Sequence, residues 1–288
     1  MIDLDALIHA AGDMEPLPAS VSRLAQLVTD VDSDVIEIVR VIELDQVLTG
    51  NLLRSANSVT QAAVNPITTV RAAVTRLGYG SILSLATATS LQKRLRQSVP
   101  ECGLSEGKLW RSSMAGAIAV DVWSRVVTTS APPVAATAAL LRDIGKLALG
   151  RFLTPDVREV LEEAEKDGHL SAMMAEREVL TVHHGELSGL IVQNWKLPEL
   201  IVAGVTLHHD PDEVDGSAWT GRRDVQAICD MVYLADAIAW AVETEMEDPG
   251  SLELLPGPCR RMGIAPSKVG LVVEKTRDRV NETLAAYS

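Results

Sequence analysis

Aromatic residues make up only 3% of the chain, so its core has to be filled with Leu, Val, Ile and Ala, the side chains of packed helices. Cysteine is scarce as well. Cys102, Cys229 and Cys259 are odd in number and show no C-x-x-C spacing. That argues against a disulfide scaffold or a thiolate zinc site and suits a reducing compartment. Positive charge falls short, with 26 Lys and Arg against 39 Asp and Glu and a formal net charge of −13. So acidic a surface argues against nucleic acid or an anionic membrane as partner. No apolar run approaches a membrane span, and Met1-Ile2-Asp3-Leu4-Asp5 lacks the basic start and apolar run of a signal peptide. A soluble cytoplasmic protein is the expectation. No phosphate-binding glycine loop, no G-x-G-x-x-G, no H-E-x-x-H and no G-x-S-x-G occurs, nor does any internal repeat.

What is present is helical periodicity over a 47% hydrophobic chain. Val35, Ile38, Val39 and Ile42 fall at i, i+3, i+4, i+7, with Ser33 as candidate N-cap. Leu48, Leu52, Leu53 and Ala56 form a second stripe, entered through Asp45. Val70, Ala73, Val74 and Leu77 form a third, which Thr69 can cap and Gly78 can end. No period-two alternation is sustained, so the spacing predicts an all-α fold. Composition shifts between Arg96 and Gly107, where Pro100, Gly103 and Gly107 mark a boundary. Beyond it, helices are predicted over about 114–127, 134–149, 155–167, 171–181, 184–195, 199–208 and 227–242. Prolines from Pro249 to Pro266 then punctuate a loose connection to a last amphipathic helix. Its stripe of Val269, Val272, Val273, Thr276 and Val280 fits packing onto the body better than partner binding.

The chemistry concentrates where apolar helices carry polar groups. Leu140-Leu141-Arg142-Asp143-Ile144-Gly145-Lys146 follows a run without charge, and burying its three ions is costly unless they are paired or hold a ligand. His184, His208, His209 and Asp236 lie in similarly apolar surroundings. Singly, each reads as a satisfied core residue. Together, histidines and carboxylates on several helices suit a metal site inside a bundle.

These blocks resemble the HDOD family, divergent relatives of the HD-type metal phosphohydrolases found in bacterial signalling proteins. The resemblance runs from about Met14 to Val242. It is carried by Glu15-Pro16-Leu17-Pro18, Ile42-Glu43-Leu44-Asp45, Leu52-Leu53-Arg54-Ser55-Ala56-Asn57-Ser58, Leu109-Trp110 and Leu141-Arg142-Asp143-Ile144-Gly145-Lys146. Glu176, His184, Trp195-Lys196-Leu197-Pro198, His208-His209-Asp210-Pro211 and Ala235-Asp236 complete it. It implies an N-terminal helical lobe (1–100), an HD-like helical lobe (101–246) and a loop with the C-terminal helix (247–288).

The departures from that family bear on function. Metal-binding relatives have a histidine before the aspartate of the name-giving pair, where this chain has Arg142, and another after the tryptophan, where it has Ser112. Asp143 and Asp236 alone make a poor transition-metal site. The resemblance therefore implies a non-catalytic signalling module working through protein contacts, without a cofactor. Arg142 would replace the metal charge by neutralising Asp236 or Glu176, and Lys146 would pair with Asp143. Two alternatives stand beside it. One is a weak phosphohydrolase acting on a nucleotide or cyclic dinucleotide, with one divalent metal on Asp143, His184 and one of His208 or His209. Only one of that pair is expected to aim inward, since neighbours on a helix diverge by about 100°. The other is a sensor of a small phosphorylated ligand between Asp143, Lys146, His184 and His208.

Overall fold

Short polar caps decide where the first helices begin. Asp34, rather than the expected Ser33, caps the helix of the first stripe by accepting from the Ile36 amide at 3.0 Å, while the Ser33 hydroxyl donates to the Leu27 carbonyl. Asp45 and Thr69 cap as predicted, accepting from the amides of Leu48 and Ala72. Gly78 follows at φ +78°, a conformation that a side chain would strain. In a computed structural model describing residues 4–58, 66–127, 131–166 and 169–285, these caps open three helices of a longer run. The run begins with α1 (Leu4–Gly12), α2 (Ala19–Thr29), α3 (Val35–Glu43), α4 (Gln46–Ser58), α5 (Val70–Leu77) and α6 (Tyr79–Leu95). The residues read for a leader, Met1 to Asp3, and the helix end at Asp167 lie outside the described residues.

After a 3-10 turn at Pro100–Cys102 come α7 (Lys108–Val127), α8 (Ala135–Leu141), α9 (Lys146–Leu149), α10 (Pro155–Lys166) and α11 (His169–Leu180). Then follow α12 (His184–Asn194), α13 (Glu199–Thr206), α14 (Arg223–Glu243), α15 (Pro256–Met262) and α16 (Pro266–Ala285). The described residues contain no strand, only an isolated bridge between Val99 and Leu104, so the fold is all-α. α7 lies against α8, α14 and α16, and α13 against α12 and α14. α6 packs on α2, α4 and α5 and also on α7 and α8, and the buried apolar side chains form one cluster from Leu7 to Val280. By length and composition α14 could cross a membrane, but 83% of its most apolar window is buried inside the protein. That apolar length fills the core.

Two predicted stretches differ. The helix expected over 134–149 breaks into α8 and α9 at a turn, Arg142 to Gly145. The Gly145 amide leaves the helical ladder to donate to Ser188 Oγ at 2.8 Å, and Ile144 and Lys146 bond three residues back, to Leu141 and Asp143. The connection from Pro249 to Pro266 is not loose throughout, because it contains α15. Proline is tolerated in a first helical turn, and Gly263 closes α15 in the left-handed region at φ +62°. α16 docks as expected: Val269, Val272, Val273, Thr276 and Val280 are all buried, against α7 and α14.

One close approach is testable. A Cβ at Gly80, in the first turn of α6, would overlap the Pro133 carbonyl oxygen, which is backbone and cannot swing aside. Gly80→Ala is expected to destabilise by about 1–3 kcal/mol, the usual cost of overpacking, read as a lowered midpoint in urea unfolding.

Candidate functional site: a buried ion cluster and three converging histidines

The broken helix sets the site. Because the chain turns at Arg142, that side chain points inward between α7 and α14 and is only 1% exposed. Its Nε donates to Asp236 Oδ1 at 2.6 Å, and its Nη2 donates to Ser112 Oγ at 2.9 Å and lies 3.2 Å from Asp143 Oδ2. Nη1 donates to the carbonyls of Ala139 and Ser112. Gly116 on α7 leaves room for the guanidinium, since any Cβ there would overlap Nη1. The cation is thus held by α7, α8 and α14 together. The predicted neutralising partner is Asp236. Glu176 is engaged elsewhere.

Glu176, on α11, accepts from His184 twice, from the backbone amide at 2.7 Å and from ring Nδ1 at 2.6 Å. The other ring nitrogen of His184 lies 3.2 Å from Asp143 Oδ1 and 2.9 Å from His209 Nε2. Burial opposes charge on this imidazole, but the Glu176 and Asp143 carboxylates prevail and raise it to about 9. Asp143 also takes Lys146 Nζ at 2.8 Å, the predicted i, i+3 ion pair. Burial would favour a protonated Asp143, but Lys146, Arg142 and His184 hold its carboxyl well below the usual range. Three cations (Arg142, Lys146, His184) therefore face three carboxylates (Asp143, Glu176, Asp236). That balance is what makes so many buried ions tolerable.

His208 and His209 depart from expectation. α13 ends at Thr206, so neither is on a helix, and the 100° divergence of helical neighbours does not apply. Their ring centroids lie 4.0 Å apart, and one nitrogen from each of His184, His208 and His209 falls within 4.8 Å of the others. Both of the pair aim inward. His208 Nδ1 donates to the Val205 carbonyl, so Nε2 carries the lone pair, and this buried nitrogen has no hydrogen-bond partner among the described residues. Burial pushes His208 down to about 4 and His209 well below its ordinary value, so both are neutral.

The predicted set Ser112, Arg142, Asp143, Lys146, Glu176, His184, His208, His209 and Asp236 thus converges. Three participants were not read from the sequence. Gly116 and Ser188 act only through tertiary contact. His183 caps α12, its ring accepting from the Gly185 amide while Glu186 accepts from the His183 amide. The cue for His183 was its adjacency to His184 before a Glu three residues on, a capping-box spacing.

Imidazoles from α12 and from the segment after α13 thus meet carboxylates from the turn after α8 and from within α11 and α14. The chain belongs to the HDOD domain family, whose model matches residues 14–211. Its structure is similar to an HDOD domain protein of unknown function from Geobacter sulfurreducens, with TM-score 0.68 and 24% identity, covering 99% of this chain and 98% of that one. It is similar to a Shewanella amazonensis SB2B protein provisionally named a phosphohydrolase, with TM-score 0.68, 22% identity and 98% of both chains covered. A Marinobacter aquaeolei VT8 protein provisionally named a signal transduction protein matches with TM-score 0.67 and 18% identity, over 95% of this chain and 59% of that one. No curated protein matches the chain. At these identities the solved structures establish the fold.

Two outcomes follow from the cluster. Arg142→Ala removes the cation bound to buried Asp236 and is expected to cost about 3–5 kcal/mol, whereas Arg142→Met with Asp236→Leu is expected to recover most of that; a double-mutant cycle by urea unfolding measures both. For His184, the folded value of about 9 exceeds the unfolded 6.5, so the folded state binds its proton more tightly. That stabilisation is complete below pH 6.5 and disappears as pH rises through 9. In EDTA, thermal midpoints are expected to fall across this window, and His184→Gln to flatten the decline.

Proposed function

We propose that the chain is a non-catalytic, cytoplasmic signal-transduction module that acts through contacts with other proteins, its HD site having become a degenerate, internally neutralised ion cluster. The observation that carries this reading is the Arg142 guanidinium, buried among Asp236, Asp143 and Ser112. In the half of the site that comprises Ser112, Arg142 and Asp236, the residues do not fit a divalent ion. A permanent cation holds Asp236 there, and the nitrogen donors a transition metal prefers are replaced by a hydroxyl and a guanidinium. What the cluster supplies instead is docking, since it ties α7, α8 and α14 at one point.

The test is hydrolysis of bis(p-nitrophenyl) phosphate by the full chain, loaded with manganese or zinc. Turnover is expected not to exceed that of Asp143→Asn. Turnover lost in Asp143→Asn would assign the chain to the phosphohydrolases instead.

A second reading has its own observation, the unpartnered Nε2 of His208 beside His184 and His209. Asp143, His184, His208 and His209 fit one divalent ion, offering three imidazoles and a carboxylate. Such an ion would supply Lewis-acid polarisation of a phosphate oxygen. Holding it would require His184 to give up the Nε2 proton it shares with Asp143 and His209, so uptake would release protons. Metal analysis after dialysis decides: one equivalent of metal lost in His208→Ala supports a resident ion, and none supports the purely organic cluster.

A further inference from the structure

The chain carries a net charge of −13, yet one groove is basic. It lies between α7 and α16, has a volume of about 410 Å³, and shares no lining residue with the histidine cluster. Leu271, 39% exposed, and the half-buried Val126 form its apolar part, while Val122 is buried at 5%. Its cations are Arg125, Lys268, Lys275 and Arg279. Asp121 pairs with Arg125 at 3.2 Å and with Arg279 at 2.8 Å, which leaves Lys268 and Lys275 without an ion pair among the described residues. Two of the four lining cations share Asp121, and the two lysines supply the groove's positive charge on an acidic protein.

We propose that this groove binds an acidic amphipathic helix of a partner protein, its apolar residues on Val126 and Leu271 and its carboxylates on the flanking cations. The inference rests on the reading that the chain works through protein contacts, and names the surface and the partner's chemistry. Spacing supports the choice. Lys268, Leu271, Lys275 and Arg279 fall at i, i+3, i+7 and i+11, a stripe about 17 Å long that matches about three turns of a docked helix. Charge supports it further. A docked helix brings its carboxylates to the groove itself, within a Debye length of the groove's cations. An extended polyanion such as a nucleic acid or a lipid surface meets the field of the whole acidic molecule within a Debye length of about 8–10 Å. The groove is open and partly apolar, which favours a ligand that brings apolar surface as well as charge.

The probe is an 18-residue fluorescein-labelled peptide with Leu at i, i+3, i+4 and i+7 spacing and Glu elsewhere, titrated with the full chain by anisotropy. Controls are the same peptide with Lys in place of Glu and a Leu/Glu peptide of equal composition with the periodicity scrambled. Binding is expected for the acidic amphipathic peptide alone. It should weaken at least tenfold in K268E/K275E and in the milder K268A/K275A, weaken in Leu271→Asp, and decline from 50 to 300 mM salt. Unchanged thermal midpoints exclude unfolding as the cause. Equal affinity of the variants, equal binding of the scrambled peptide, or no binding at all would overturn the proposal. So would phosphatidylglycerol vesicles binding in preference, or sedimentation showing self-association abolished by K268E/K275E, which would give the groove to a lipid surface or a second copy. Failure here leaves the non-catalytic reading standing, because that reading falls only to Asp143-dependent phosphodiester turnover.

Discussion

The architecture depends on a buried ion pair, the guanidinium of Arg142 against the carboxylate of Asp236. A cation with five donors cannot be placed at 1% exposure unless each side of it meets an acceptor. Here the acceptors come from three helices, through Ser112 on α7, Ala139 on α8 and Asp236 on α14. The same requirement explains Gly116, whose missing side chain is the space the guanidinium uses. Removing water from this cluster makes every unpaired group expensive, so the arrangement of the central helices is bound to the pairing of their ions.

The cluster divides along its length. At the Arg142 end, charge is permanent and balance is organic. At the His184 end, charge is protonic: one imidazolium lies between Glu176 and Asp143, next to two neutral imidazoles kept uncharged by burial. An imidazolium proton can be given up, and the nitrogen that held it is then a lone-pair donor. A permanent guanidinium does not do so. The asymmetry is why a degenerate site and a residual metal site are compatible readings of one cluster.

The C-terminal segment contributes differently. α16 buries one face as core and turns another toward α7, where lysines and arginines gather around a strip of Val and Leu. These cations stand out against the chain's net charge of −13. Charges within a Debye length act on whatever sits in the groove more strongly than the distant remainder of the surface does.

Read alone, the residues determined that the chain is helical, that its core is aliphatic, and which polar side chains would be buried, because helical periodicity and the cost of burying charge are both local in origin. Thr69 and Asp45 were legible as caps for the same reason, whereas Ser33 lost its place to Asp34 through a contact with Leu27. The family was legible because many ordered blocks had to match at once. What only the tertiary structure decided was partnership: Arg142 with Asp236 rather than Glu176, the turn that breaks α8 from α9, and the inward aim of both His208 and His209. Each depends on groups far apart in the chain, or on a helix ending two residues early at Thr206. No local pattern encodes where a distant acceptor such as Ser188 Oγ will stand to take an amide out of a helix.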